Sequence, residues 1–312
     1  SLNVAGFIEP LLFNFNEEDG IMNQILPIGY WWQLLYCTIF LLACTCVSLI
    51  GSSTVSKTGS FLTIILITAT LSVPISAIFV KPFDVPELNT HYTGLSYKTF
   101  KENLLPHFTK GAAGSQRKAV ETFNDLFGIF FPATAGIFAG ASMSGDLQNP
   151  SKSIPKGTLW GLLLTFTCYA LVIISMGASI PRDFLHKDVQ VIQTVNLSTV
   201  LVLLGEASTS LFSVIVGIVG AAKVLQAIAR DEILPGLKLF AIGDKKSDDP
   251  IYGILFTWLL TQLFLFADIN QIATFITMAF LMTFIVTNLA CFLLKLGSAP
   301  NFRPSFKYFS NK

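Results

Sequence analysis

Apolar stretches of membrane-spanning length dominate the pattern of this chain, and mostly short polar connections separate them. A spanning helix needs roughly 20 mainly apolar residues. Windows close to that length predict helices at residues 29–50, 59–80, 125–141, 158–180, 197–222, 252–267 and 271–295. Residues 1–13 look like the inner part of one more helix, so we expect that earlier helices precede this chain. Helices are the expected element because they pair every backbone N–H and C=O group internally, as lipid requires.

The composition agrees with a membrane protein. Hydrophobic residues make up 52% of the chain and charged residues 12%, and the mean hydropathy is +0.64. An ordinary soluble domain carries about a quarter charged residues, so much of this surface must face lipid. The predicted fold class is therefore an all-α polytopic membrane protein, with the lipid bilayer as its surroundings.

Charge and chemistry exclude several classes of function. A net charge of +1 excludes a basic nucleic-acid binder, so we expect no nucleic acid among its partners. The five cysteines all fall inside apolar runs and have no metal-ligand spacing, which favours packing roles. The sequence contains no nucleophile-base pair, phosphate loop or metal cluster, so we expect neither an enzyme nor a bound cofactor.

The distribution of lysine and arginine predicts the orientation in the membrane. If the first helix points outward, twelve of the 20 basic residues fall in internal connections and eight fall outside. Six of those eight lie in one long loop, residues 81–124, whose length weakens their effect on topology. We therefore expect residues 81–124 to form an external loop of unassigned role and residues 296–312 to form a cytoplasmic tail.

The stretch from residue 124 to residue 159 differs from every other apolar window because it concentrates residues that disfavour a continuous helix. These are Pro132, Gly136, Gly140, Gly145, Pro150 and Pro155. Together they predict a broken helix, whose freed carbonyls could hold a cation and whose freed amides could hold an anion. The alternative is a Pro/Gly kink that serves only close helix packing, and the residues alone leave both interpretations open.

Three long motifs resemble those of cation-chloride cotransporters, which belong to the amino acid-polyamine-organocation superfamily. They are FFPATAGIFAGASMSGDLQNPSKSIPKGTL, AAKVLQAIARDEILPGL and SAPNFRPSFKYF, in the family's order. Three stretches, GYWWQLLY, HYTGL and SAPNFRP, are similar to the branch that contains cotransporter-interacting-protein-type and fungal vacuolar members. The resemblance implies a single transport core over residues 1–312. Its fold would be a partial leucine-transporter-like inverted-repeat bundle, from the end of helix three through helix ten.

The resemblance also implies a cation site, although its ligands are altered here. In potassium-carrying members the cation is held by helix-one carbonyls, a tyrosine of helix three, and a proline and a threonine of helix six. The matching positions are Asn3 for the tyrosine, Pro132 for the proline and Ala135 for the threonine, with Thr134 displaced by one residue. A shift of one residue rotates a side chain by about 100° around a helix, so Thr134 is not expected to substitute directly.

A chloride site follows from the same resemblance. In the family a chloride ion sits on three backbone amides of helix six, which match Gly136, Ile137 and Phe138. A tyrosine hydroxyl of helix ten completes that site, and the aligned position here is Phe284. Backbone amides are kept whatever the side chains are, so we expect the amide part of the site to be retained and the hydroxyl part to be lost.

Sodium coupling is not expected from the resemblance. Sodium-carrying members use two adjacent serines of helix eight, which align here with Phe212 and Ser213, and Thr209 lies one turn before them. A phenylalanine offers no oxygen to a cation. These three positions are therefore predicted to be the remnant of a sodium site.

Glu206 is an acidic residue well inside an apolar window, about ten residues into the eighth helix by the family's count. A carboxylate at such a depth costs several kcal/mol unless it is paired or functional. Glu206 is therefore a candidate ligand for a cation or a proton, in place of the missing family ligands. The alternative is a hydrogen-bonded or protonated carboxyl in a polar part of the bundle.

Secondary transport of chloride with a monovalent cation, potassium rather than sodium, is the leading interpretation. The expected substrates are thus chloride and potassium ions, and the expected location is a vacuolar or lysosomal membrane, with the plasma membrane as the alternative. Two other functions remain open. One is transport of an amino acid or polyamine, and the other is a non-transporting regulatory subunit of true cotransporters. The resemblance also implies a possible homodimer.

Overall fold

The structure is a computed structural model that describes residues 2–16, 27, 29–50, 52–111, 119–142, 144–232, 234–244, 248–267 and 269–297. Its helices, in chain order, are α1 (Leu2–Asn16), α2 (Tyr30–Leu49), α3 (Ser52–Phe79), α4 (Tyr97–Asn103), α5 (Phe123–Phe130), α6 (Ala139–Ser142), α7 (Pro150–Ser179), α8 (Arg182–Lys187), α9 (Val191–Val195), α10 (Thr199–Arg230), α11 (Ile251–Phe264) and α12 (Ile269–Leu296). A 3-10 helix, Phe131–Phe138, joins α5 to α6.

The prediction of an all-α polytopic membrane protein is confirmed. Within the described residues, six segments are helical, long and apolar enough to cross a membrane, and one of them is the combined segment Phe123–Ser142. The helices α1 and α11 are apolar but shorter. With 14 residues α11 is about 21 Å long, which is less than the roughly 30 Å of a bilayer's hydrocarbon core. Many large apolar side chains are exposed, as a lipid-facing surface requires.

Three helices run well beyond their predicted ends, and α3 is one of them because it begins at Ser52 rather than at residue 59. The helix α7 begins at Pro150 rather than at residue 158, because the amides of Lys152 and Ser153 bond to the carbonyl of Asn149 and a proline is tolerated in a first turn. The helix α10 continues to Arg230 rather than ending at residue 222, and it has 32 residues. Hydropathy windows stop where polar residues begin, although the helical hydrogen bonds continue past them.

The long loop predicted at residues 81–124 contains regular structure in its described part. Two antiparallel strands, β1 (Phe83–Val85) and β2 (Thr90–Tyr92), form a ribbon, and α4 follows. Tyr92 is fully buried against Ile180, Phe184, Val191 and Val195. This cluster fixes the ribbon on the connection between α7 and α10, and the same burial raises the pKa of Tyr92.

The connection before α10 is also tied to α3. The amide of Asn196 donates to the hydroxyl of Ser72 at 3.0 Å, and the backbone N–H of Leu197 donates to the hydroxyl of Ser76 at 3.0 Å. Both serines are buried. Two hydroxyls of α3 therefore hold the entry of α10 in place.

The chain divides into two compact units, which are described separately. Unit 1 contains Phe123–Leu163 and the chain from Val219 onward, so it holds α5, α6, α11 and α12. Unit 2 contains Asn3–Thr122 and Leu164–Ile218, so it holds α2, α3, the ribbon and most of α10.

Candidate functional site

The segment predicted to be broken remains helical in unit 1, but its hydrogen bonding changes. The helix α5 passes directly into the 3-10 helix Phe131–Phe138, and α6 follows. The interruption is therefore a change of helix type instead of an unwound gap. Runs of 3-10 helix longer than 3–4 residues are uncommon, and a 3-10 stretch within a helix often marks a functional hinge or strain. This stretch has eight residues.

Pro132 explains where the change begins. Its ring nitrogen carries no hydrogen, so the carbonyl of Gly128, four residues earlier, loses its α-helical partner. The hydroxyl of Thr277 in α12 lies 2.6 Å from that carbonyl oxygen and can donate to it. Thr277 is 4% exposed, and its hydroxyl also lies 2.9 Å from the carbonyl of Ala273 in its own helix. One hydroxyl proton can thus serve either helix, but only one at a time.

The backbone amides predicted to hold chloride lie in the second half of the 3-10 helix. In a 3-10 helix each backbone amide donates to the carbonyl three residues earlier. The amides of Gly136, Ile137 and Phe138 therefore point back along the helix, toward carbonyls of its preceding turn. This differs from the expectation of free amides, because the tighter helix supplies partners that an unwound segment would lack. Gly136 and Ile137 are exposed.

The structure brings two predicted chloride-site residues together. The ring of Phe284 in α12 lies 5.0 Å from that of Phe138 and 6.1 Å from that of Phe131, measured between centroids. These distances suit tilted and edge-to-face aromatic pairs. The aligned hydroxyl is absent, and an aromatic cluster packs α12 against the 3-10 helix in its place.

The predicted cation positions of helix six lie on the 3-10 helix in unit 1. The hydroxyl of Thr134 donates to the carbonyl of Phe131 at 2.8 Å, within the 3-10 helix. Pro132 is half-buried. The backbone of Ala135 belongs to the same helix, but its side chain lies outside the described residues. Asn3 is in unit 2, where it is exposed on α1.

The remnant sodium positions lie on α10 in unit 2, and packing accounts for one of them. A Cβ added at Gly59 in α3 would lie 2.6 Å from two ring carbons of Phe212, so the ring fills the space that Gly59 leaves. The hydroxyl of Thr209 donates to the carbonyl of Gly205 at 2.8 Å. Ser213 is half-buried on the same helix. Phe212 is therefore a residue of helix packing at a position that the family resemblance aligns with a sodium-site serine.

Glu206 lies on α10 beside a cavity of about 120 Å³ in unit 2. The cavity is lined mainly by apolar side chains of α1 and α10, namely Phe7, Pro10, Leu11, Asn14, Phe15, Leu203, Glu206 and Ala207. A water molecule takes about 30 Å³ of liquid volume, so the cavity has room for several.

A chain of amides leads to the Glu206 carboxylate. Asn14 donates to the carbonyl of Pro10 at 2.8 Å and to Oε1 of Gln193 at 3.1 Å. Gln193 in turn donates to Oε1 of Gln190 at 3.1 Å and, over a long 3.4 Å, to Oε2 of Glu206. Asn14 and Gln193 are 3% and 5% exposed, so this chain is buried.

Sequence reasoning found Glu206 but missed its neighbours and Thr277. Asn14 and Gln193 are 179 residues apart, and Gln193 lies in a short helix between two spans, where a polar residue is ordinary. The signal that could have pointed to Asn14 was its polar side-chain amide next to the apolar residues of α1. Thr277 gave no signal, because a threonine in a spanning helix usually bonds its own backbone.

Known proteins are similar to this chain over nearly all of its length. A family profile described as amino acid permease matches residues 20–312. The chain is 57% identical over 314 residues to the vacuolar cation-chloride cotransporter 1 of Saccharomyces cerevisiae. This alignment covers 99% of the chain and 27% of the yeast protein. It is 32% identical over 329 residues to solute carrier family 12 member 9 of Homo sapiens. This alignment covers 99% of the chain and 35% of the human protein. The chain thus spans about a third or less of the length of these relatives.

Proposed function

The chain belongs to the amino acid permease family, and on that premise we propose that it is the core part of a symporter that couples chloride to a monovalent cation, potassium rather than sodium. The relatives confirm the resemblance to cation-chloride cotransporters that the motifs suggested, and they are transporters instead of enzymes. The structural observation that supports the proposal is the 3-10 helix Phe131–Phe138 within a spanning segment.

In this proposal the 3-10 helix is a hinge that opens to bind chloride. Its i→i+3 hydrogen bonds have poorer geometry than α-helical bonds, so they are the first to break when the segment rearranges. Opening would release the amides of Gly136, Ile137 and Phe138 toward an anion, which is held by such backbone dipoles where water is scarce. The rings of Phe131, Phe138 and Phe284 would help to exclude water from that position.

The preference against sodium rests on α10. Phe212 fills the space beside Gly59, so a side chain that could offer oxygen is replaced by one that packs. This packing does not affect a larger cation that binds elsewhere, which is why potassium remains the proposed partner of chloride.

The proposed location is a vacuolar or lysosomal membrane, on the basis of the name of the yeast relative. We further propose that residues 1–312 form one transport core, and that the complete protein assembles as a homodimer. The amino acid or polyamine alternative keeps the support of the family description alone, without a structural observation that favours it.

Uptake of radioactive rubidium tests the proposed function. Vesicles that contain the complete protein should take up ⁸⁶Rb⁺ in the presence of chloride, and uptake should fall to background when gluconate replaces chloride. Replacing external sodium with an impermeant organic cation should leave uptake unchanged. Rubidium uptake that ignores chloride would refute the symport, and co-purification with an active cotransporter without any uptake would favour a regulatory subunit instead.

A further inference from the structure

We propose that the cavity beside Glu206 is a binding site for an alkali-metal cation, with the Glu206 carboxylate as its charged ligand and Asn14 as a neutral one. The site lies entirely within unit 2 and uses none of the residues of the 3-10 helix. Its role as the cation site of transport rests on the proposed symport, while the binding itself does not.

The first argument is charge. Among the described residues that line the cavity, Glu206 is the one charged side chain, and none of them is a lysine, an arginine or a histidine. A carboxylate within a spanning helix is costly unless something of opposite charge pairs with it. Since the described lining residues supply no positive charge, a bound cation is the natural partner.

The second argument is the hydrogen bonding of the carboxylate. An ionised carboxylate has about four acceptor positions. Among the described residues, Glu206 receives one contact, the long 3.4 Å bond from Gln193. The other amide donors of the chain are committed elsewhere, since Asn14 bonds to Pro10 and Gln193, and Gln193 bonds to Gln190. The carboxylate therefore keeps most of its capacity for a ligand.

The third argument is the shape and lining of the cavity. A proton would need no space beside the carboxylate, whereas a cavity of about 120 Å³ can hold an alkali cation with some of its water. Hard cations take oxygen ligands, which Glu206, the side-chain oxygen of Asn14 and water can supply. The apolar walls, among them Phe7, Leu11 and Leu203, lower the local dielectric constant and strengthen the attraction between the carboxylate and a cation.

Equilibrium binding of ⁸⁶Rb⁺ to the complete protein, purified in detergent, tests the site without any need for transport. The variant Glu206→Gln keeps the shape of the side chain and removes its charge, and we expect it to weaken rubidium binding by about tenfold to a hundredfold. Asn14→Leu should weaken binding by a smaller factor, and Glu206→Asp should retain part of it. Glu9→Gln is the matched control, because Glu9 lies on α1 but does not line the cavity.

The outcomes separate the two proposals. Rubidium affinity that is unchanged in Glu206→Gln, or that falls equally in Glu9→Gln, would overturn the cation site. If Glu206→Gln keeps its rubidium affinity and its rubidium uptake no longer depends on pH, the cation site is also overturned, because Glu206 would then be a proton site. If Glu206→Gln alone loses binding and the wild-type protein shows no chloride-dependent uptake, the cation site holds and the proposed symport fails.

Discussion

The hydroxyl of Thr277 replaces a backbone hydrogen bond that Pro132 removes from α5, and its deletion gives the sharpest test of the helix geometry. Thr277→Val keeps the branched shape and removes the donor, which leaves the carbonyl of Gly128 without its partner from α12. Both residues are buried. The second contact of Thr277, to Ala273, lies within its own helix and does not replace the lost bond.

The expected cost follows from what the change leaves unpaired. A buried acceptor without a partner costs about 1–3 kcal/mol in proteins generally. Hydrogen bonds between membrane helices average about 0.6 kcal/mol and reach about 1.7 kcal/mol. Since the contact is short and buried, we expect Thr277→Val to destabilise the protein by about 1–2 kcal/mol.

The double variant with Pro132→Ala shows whether the reasoning is correct. Alanine restores an amide N–H at position 132, which can bond to the carbonyl of Gly128 as in an ordinary α-helix. In the Pro132→Ala background, Thr277→Val should therefore cost about 0.5 kcal/mol or less, which is a coupling energy of roughly 1 kcal/mol. Reversible unfolding in mixed SDS micelles, applied to all four proteins of the cycle, measures this directly.

Two further variants serve as controls for the cycle. Thr277→Ser retains the hydroxyl and should cost little, whereas Thr287→Val removes an exposed hydroxyl that bonds within α12 and should cost about 0.5 kcal/mol or less. If Thr277→Val costs the same with proline or alanine at position 132, the hydroxyl does not substitute for the missing backbone bond, and the explanation of the 3-10 helix is wrong.

Three further predictions concern other parts of the molecule. The Asn196-Leu-Ser sequence should carry no glycan, because the Asn196 amide is engaged with α3, and treatment with N-glycosidase should leave the gel mobility of the expressed protein unchanged. Gly59→Ala should destabilise the protein by roughly 1–3 kcal/mol through a clash with the Phe212 ring, and Phe212→Leu should recover most of that loss in the same unfolding assay. Arg230 bonds to both carboxylate oxygens of Asp248 and holds the pKa of Asp248 below its ordinary 3.8, so this pairing is complete above that pH and is lost as pH falls through the lowered value. Replacing Arg230 by methionine should raise the titration midpoint of Asp248, measured by carboxylate NMR, and an unchanged midpoint would refute the pairing.

The sequence predicted the spanning helices well because length and apolarity are local properties. The windows at 29–50 and 271–295 differ from α2 and α12 by one or two residues at each end. The predictions missed structure that is determined by contacts between residues far apart in the sequence. The ribbon of β1 and β2 depends on Tyr92 packing against Phe184, which is 92 residues away, and nothing local in residues 81–92 indicated it.

The candidate site was only partly predictable for the same reason. Pro132 and the glycines after it indicated a special segment, but the hydroxyl that pairs the freed carbonyl of Gly128 belongs to Thr277, which is 149 residues away. Glu206 was conspicuous as a charge among apolar residues, whereas its cavity requires α1 beside α10. The predicted tail at 296–312 lies almost entirely outside the described residues.

The most direct test of the account is a crystal structure of the complete protein grown in bromide, with anomalous scattering used to locate the anions. The account predicts a bromide peak within about 3.5 Å of the amides of Gly136, Ile137 and Phe138, with the 3-10 helix opened around it and the Phe284 ring displaced. An intact 3-10 helix from Phe131 to Phe138, with bromide bound elsewhere or not at all, would contradict the proposal that this hinge is where chloride binds.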